Sequence, residues 1–346
     1  MKYHILGKSG LRVSEVCLGT MTFGTVWSKH FGGVNKKTAK LIFDNFVENG
    51  GNFIDTADIY QDGKSEKILG ELLSKNRDNF VISSKYSTIT NPNDPNSGGN
   101  HRKNLFSSVN ASLKRLKTDF LDILWIHAWD FTTPVADVMR SLDDLVKHGK
   151  IHHIGISNCP SWIISQACAL SESNGWTSFS AIQILYNLLE RSAERELLPM
   201  AQKFGLGVLA WSPLMGGILS GKYSKNSQKF RFNRENPMTS SFLSEHNLIL
   251  AKKISEIAKN NDLTSSQLAL SWILHKKYTP IIPIIGANSL NQFKENMKSI
   301  TVNLNNEIIS SLDELSQIDL GYPHNFLNHD HIVERIFGAN YVENFK

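Results

Sequence analysis

A (β/α)8 barrel is the fold this sequence predicts, and three observations predict it. The chain has 346 residues, which at about 150 residues per domain holds two ordinary domains or one large barrel. Short apolar runs alternate with amphipathic stretches along its length, and runs without polar alternation mark strands buried on both faces. The residues closing successive runs, Gly19, Asp55, Lys85, His127, Asn158, Gln183, Trp211 and Gly286, recur at steps of 25 to 42 residues before a last step of 75. Eight such units fit a closed barrel better than an open sheet.

The elements follow in order. Lys2 to Leu6 and Leu11 to Val13, joined through Gly7-Lys8-Ser9-Gly10, predict a small hairpin ahead of the barrel. After Val16-Cys17-Leu18-Gly19, the apolar residues Ala39, Ile42, Phe43, Phe46 and Val47 form a helical stripe that Gly50-Gly51 stops. Asn52 to Asp55, Phe80 to Lys85, Leu121 to His127 and Ile151 to Ser157 are strand-like. Helices lie between them at Ser65 to Leu73, through Leu105, Val109, Leu113 and Leu116, and at Val135 to His148 before Gly149. Ala181 to Tyr186, Gly207 to Trp211 and Thr279 to Ile285 complete the strands. The long step contains two helices and a polar Ser/Asn-rich insertion, about 214–247, expected to fold over the barrel mouth as a lid. No linker interrupts the pattern, so residues 1–346 read as one barrel domain with a tail at about 317–346.

Composition excludes several classes. Hydrophobic residues make up 41% and charged residues 20%, an ordinary globular balance. Net charge is +5, with the lysines scattered as Lys36-Lys37, Lys252-Lys253 and Lys276-Lys277, so no basic stripe for nucleic acid or an anionic membrane is expected. Cys17, Cys159 and Cys168 are odd in number and lack CxxC spacing, which suggests neither a disulfide framework nor a zinc knuckle. The N-terminus has no apolar signal region and no run is long enough to span a membrane. A cytoplasmic protein is expected.

In a barrel of this kind the reacting groups stand where strands end. Asp55 and Tyr60, Lys85, and His127 occupy three successive strand ends. A phenol of pKa about 10 is a poor acid at neutral pH unless its phenolate is stabilised, and a neighbouring Lys does that. A carboxylate beside the Lys keeps the ammonium charged, and an imidazole can hydrogen-bond a substrate carbonyl. The chemistry suited to the set is protonation of a developing alkoxide.

These residues, with Ser84-Lys85, Gly155-Ile156-Ser157-Asn158, Gln183-Ile184-Leu185-Tyr186-Asn187, Trp211-Ser212-Pro213-Leu214 and Ile285-Gly286-Ala287, make the chain resemble the aldo-keto reductase family from the hairpin to about Asn296. The resemblance implies a (β/α)8 barrel that reduces aldehyde or ketone carbonyls with a nicotinamide cofactor and without a Rossmann fold. No G-x-G-x-x-G follows a strand. It implies Tyr60 as general acid, Lys85 as its pKa partner, Asp55 as the partner of Lys85, and His127 as the group orienting the carbonyl. It places Gly19, Thr20 and Met21 beside the cofactor, Ser157, Asn158 and Gln183 on the nicotinamide carboxamide, and Tyr186 stacked on the ring. Trp211, Ser212, Pro213, Leu214, Gly216 and Lys222, with Arg231 or Arg234 of the lid, would line the pyrophosphate. Gly286, Ala287, Asn288, Gln292 and Asn296 would hold the adenosine end. Many NADPH-using members carry Arg or Lys where Asn288 stands, so the charge expected on a 2′-phosphate is missing; Ser289, Gln292 and Lys294 are candidates to compensate. NADPH is expected, with NADH also admitted. The ending Leu320-Gly321-Tyr322-Pro323 with Phe326-Leu327 resembles the aryl-alcohol dehydrogenase-like branch.

Each residue also has an ordinary structural reading. Asp55 can cap a turn, His127 can be a satisfied core imidazole, Ser157-Asn158 can cap the helix after Pro160, and Gly216-Gly217 can be a plain turn. Trp27, Trp129 and Phe23 follow strand ends and suit either a hydrophobic substrate wall or loop packing. Two other functions bear comparison. A metal-dependent hydrolase would use His127, Asp130, His152 and His153, but the last two start a strand, opposite His127. A cofactor-retaining regulatory subunit with the same barrel would show slow turnover.

Overall fold

A small antiparallel hairpin and a ring of parallel strands account for every strand in the computed structural model, which describes residues 1–29, 31–73, 76–224, 240–276 and 280–338. Strands β1 (Tyr3–Ile5) and β2 (Arg12–Ser14) form the hairpin, with Tyr3 opposite Ser14. The ring runs β3 (Cys17–Gly19), β4 (Phe53–Asp55), β5 (Val81–Tyr86), β6 (Leu121–Ile126), β7 (Ile151–Ser157), β8 (Phe179–Leu185), β9 (Gly207–Trp211) and β10 (Ile281–Ile285). It closes where Ile284 and Ile285 pair with Cys17 and Leu18. The expected barrel and hairpin are both present.

Helices α1 (Lys36–Glu48), α2 (Lys64–Leu73), α3 (Arg102–Leu116), α4 (Val135–Lys147), α5 (Ser161–Asn174) and α6 (Leu197–Phe204) cross between strands, followed by α7 (Glu245–Asn260), α8 (Ser265–Leu274), α9 (Leu290–Met297) and α10 (Asn306–Leu315). Local chemistry sets their ends. The Asn35 side chain accepts from the Thr38 N–H to start α1, and Thr264 with Gln267 forms a reciprocal capping box at α8.

Side-chain parity divides the sheet into two surfaces. Leu18, Ile54, Ile82, Ile156, Ile182, Ile184 and Val208 face the helices in the large core. Cys17, Phe53, Val81, Ile123, Trp125, Ala181, Leu209 and Ile282 fill the lower barrel, where Leu6 and Val13 of the hairpin region join them. The hairpin therefore plugs the barrel floor. Gly7, at φ +54°, lies so close to Ser180 and Gly207 that a Cβ would sit 2.2 Å from the Ser180 carbonyl.

In the long insertion, Met215, Ile218 and Leu243 are buried with Ala251 of α7. These parts of the expected lid pack beneath the rim. Residues 225–239, on which closure over the mouth depends, lie outside the described set. In the tail, two short helices at His324–Leu327 and Asp330–Phe337 bury no residue.

Candidate active site

The inward parity that fills the barrel floor with apolar groups continues upward into a polar layer. Register puts Asp55 beside Ser83 and Lys85 beside Trp125. Lys85 is 1% exposed, and its Nζ donates to Asp55 Oδ2 and to the Thr56 carbonyl at 2.7 Å. The other Asp55 oxygen accepts from Ser83 Oγ at 2.7 Å and Gln183 Nε2 at 3.2 Å. Burial alone would lower the Lys85 pKa, but Asp55 and then Tyr60 overcome it and hold the ammonium above its ordinary range. Lys85 is a fixed cation rather than a proton store.

Tyr60 follows β4 on a tight turn whose start is pinned by Asp58 N donating to the Lys85 carbonyl at 3.3 Å. The phenol hydrogen-bonds Lys85, whose Nζ lies 4.7 Å from the ring centroid. The His127 ring stands edge-on to Tyr60 at 5.9 Å, and the Trp27 ring does the same at 6.3 Å. Burial first, then the Lys85 charge, drives the His127 pKa down to about 3, so the imidazole is neutral throughout the physiological range. Its Nδ1 is buried without a partner among the described residues.

Sites expected for a cofactor ring the same mouth. Asn158 is exposed and held at φ +48°, its Nδ2 donating to the His127 carbonyl at 2.8 Å and to Ser157 Oγ at 3.0 Å. Gln183 already donates to Asp55, so its amide braces the carboxylate. Thr20 is buried and bonds the Asp55 carbonyl and Ser65, while Met21 is partly exposed. After β9, Ser212, Met215, Gly216 and Gly217 all have positive φ, and Gly216 N donates to Ser212 Oγ at 3.2 Å. Pro213 is buried, Leu214 partly exposed and Lys222 exposed. At the adenosine end Gly286 and Asn288 are exposed, Ala287 and Asn296 are 7% exposed, and Gln292 Oε1 accepts from Asn288 N at 3.0 Å. Arg231 and Arg234 lie outside the described residues.

Tyr186 requires correction. It is 0% exposed, its ring stacks on Trp272 at 5.4 Å, and its hydroxyl bonds Glu194 at 2.5 Å, so it has no face for a nicotinamide. Parity is the reason: it stands three positions beyond inward Gln183, which turns it toward the helices with Ile182 and Ile184. The same rule turns Trp211 inward. Its indole is partly exposed, with Nε1 buried and unpartnered among the described residues, so Trp211 fits the stacking position.

The hydrolase ligand set is not gathered. His152 stacks on Phe120 at the strand start, Asp130 is occupied by Asn100, Thr132 and Thr133, and no described group of three His, Cys, Asp or Glu could hold a metal ion.

Comparison with known proteins agrees with this geometry. The Aldo/keto reductase family model matches residues 15–317. The norsolorinic acid reductase of Aspergillus flavus is 37% identical over 334 residues, covering 94% of this chain and 84% of its own length. The aryl-alcohol dehydrogenase GME11368 of Pestalotiopsis microspora is 33% identical over 333 residues, covering 94% and 85%. The chain belongs to the aldo/keto reductase family and is an oxidoreductase; that family uses nicotinamide cofactors. The residues present fit such a group: a positive-φ backbone run able to turn amides toward an anion, and an orphaned indole and imidazole at the mouth. No described helix is long and apolar enough to cross a membrane.

Proposed function

We propose that the protein reduces the carbonyl of aromatic aldehydes or ketones, with NADPH preferred and NADH admitted, in the cytoplasm. When bound, the nicotinamide supplies the hydride. Tyr60 supplies the proton to the forming alkoxide, and Lys85 stabilises the phenolate left behind. Asp55 holds Lys85 in place. His127, neutral, donates one N–H to the carbonyl oxygen and gains nothing from titration. The observation that carries the reading is the buried Asp55–Lys85–Tyr60 chain ending edge-on to a neutral histidine.

An aromatic substrate is supported by the rim. Val26, Ile89 and Phe131, from three βα loops, and Trp162, in the first turn of α5, are exposed large apolar residues, and Trp27 flanks Tyr60. Relatives named for aryl alcohols and norsolorinic acid point the same way.

The test is Tyr60→Phe, assayed by nicotinamide absorbance with aromatic and aliphatic aldehydes and both reduced cofactors. General acids contribute roughly 10² to 10⁴ in rate, so kcat should fall about a thousandfold while cofactor still binds. Turnover within about tenfold of wild type removes Tyr60 from the role. Slow wild-type turnover with a cofactor that cannot be dialysed away would favour a regulatory subunit.

A further inference from the structure

Immediately after Tyr60, Gln61 and Asp62 both adopt left-handed backbone, at φ 54° and 55°. A glycine would enter this region freely, whereas a side chain there stores strain. Gln61 is nevertheless 0% exposed and its amide is used at both ends. Nε2 donates to the Met21 carbonyl at 2.9 Å and the Gly32 carbonyl at 3.4 Å, and Oε1 accepts from Trp27 N at 2.9 Å. Gly24 lies against its stem so closely that a Cβ would sit 2.8 Å from Gln61 Cβ. One side chain thus grips the β3–α1 loop at four places.

That loop reaches in two directions. Toward the chemistry, Trp27 stands edge-on to Tyr60 and its Nε1 donates to Asp62 at 3.0 Å. Toward the rim of β10, Thr22 Oγ1 donates to the Ala287 carbonyl at 2.9 Å, and a Cβ on Gly32 would lie 2.6 Å from the Asn288 amide. The loop is a strap laid from the general acid to the expected adenosine end.

We propose that Gln61 is a positioning residue that fastens this strap, so that seating of the cofactor's adenosine end and alignment of Tyr60 are mechanically linked. The proposal rests on the nicotinamide reading above. Strain at Gln61 is tolerated because no residue without a two-ended amide can hold Met21, Gly32 and Trp27 together. Loosening the strap weakens cofactor binding and lets Trp27 leave the Tyr60 ring.

The experiment compares wild type with Gln61→Gly and Gln61→Glu. Glycine accepts the backbone geometry, so the fold survives; glutamate keeps the acceptor for Trp27 N and loses both donors. Three readouts are taken: the Kd for NADPH and NADH by quenching of protein fluorescence, kcat with its pH profile, and the rate of limited proteolysis within residues 20–35 without cofactor. Gln61→Gly should raise the Kd about tenfold, speed cleavage of the strap severalfold and lower kcat without moving the pH profile, with a melting temperature near wild type. Gln61→Glu should fall between the two. A Kd within twofold of wild type with unchanged cleavage overturns the proposal, whatever happens to stability. Failure of wild type to bind either cofactor would instead overturn the nicotinamide reading, and the proteolysis comparison would still decide whether Gln61 fastens the strap.

Discussion

Replacing Asp58 with Asn should stabilise the protein near neutral pH and leave it unchanged near pH 4. Asp58 is 3% exposed; one carboxyl oxygen accepts from Ser108 at 2.9 Å and the other has no partner among the described residues. Burial, aided by the nearby Glu66 charge and opposed by Ser108 and Arg115, pushes its pKa up to about 7. Glu66 accepts from Ser84 at 2.5 Å and from Arg115 at 2.6 Å. In the unfolded chain Asp58 ionises near pH 4. The folded form keeps its proton until about 7, so the stability it contributes is complete below pH 4 and is lost as pH rises through 7. Three units at about 1.4 kcal/mol each give a linkage of about 4 kcal/mol, and local relaxation lowers what is measured to about 2 to 4. Asn has the same shape, never ionises and can still accept from Ser108. Urea unfolding of both proteins at pH 4.5, 6, 7 and 8 isolates this group, because all other titrations cancel in the difference. A difference that stays flat with pH, or that favours wild type at pH 7, refutes the reasoning.

Lys85→Met strands the Asp55 carboxylate with only Ser83 and Gln183. Stability should drop by about 3 to 5 kcal/mol, and kcat should fall with the alkaline limb of its pH profile displaced; an unchanged profile would make Lys85 purely structural. Asn288→Arg restores a cation for the 2′-phosphate, worth roughly 1.5 to 3 kcal/mol, and should widen the NADPH-over-NADH ratio of dissociation constants about tenfold at low salt and less at high salt. No gain would mean that another cation, Lys294 first, already holds the phosphate. Gly155→Ala places a Cβ 2.3 Å from the Trp125 ring and should cost about 1 to 3 kcal/mol; adding Trp125→Phe should recover most of it, and a single mutant as stable as wild type would rule out the clash.

Strand order and the polar strand ends of the candidate site were legible because each barrel strand is an apolar run interrupted where its inner face turns polar. Asp55, Lys85 and His127 could be read from position alone. Tyr186 departs from the expected role because of parity: an odd spacing from inward Gln183 turns it outward, while Trp211, two residues beyond inward Leu209 on its own strand, turns inward. Gln183 showed a different limit, since nothing in one dimension reveals that Asp55 lies within its reach across the barrel. The strap was not legible at all. Gln61 reads as an ordinary polar loop residue, and only its left-handed backbone and three-way grip disclose a role. Asp58 was passed over for the same reason, its burial arising from α2 and α3 packing over the turn.

Closure of the ring has a consequence for biosynthesis. Cys17–Gly19 finds one neighbour in Phe53–Asp55 as soon as that strand emerges, but its other edge must wait for Ile281–Ile285. During translation the growing sheet is therefore an open curl with an unpaired, apolar edge, of the kind that invites association between chains. The floor plug waits a shorter time, since Gly7 seats against Ser180 and Gly207. Pausing late in the message, after Trp211 and before Ile281, should be far more harmful to yield than pausing anywhere after Ile285.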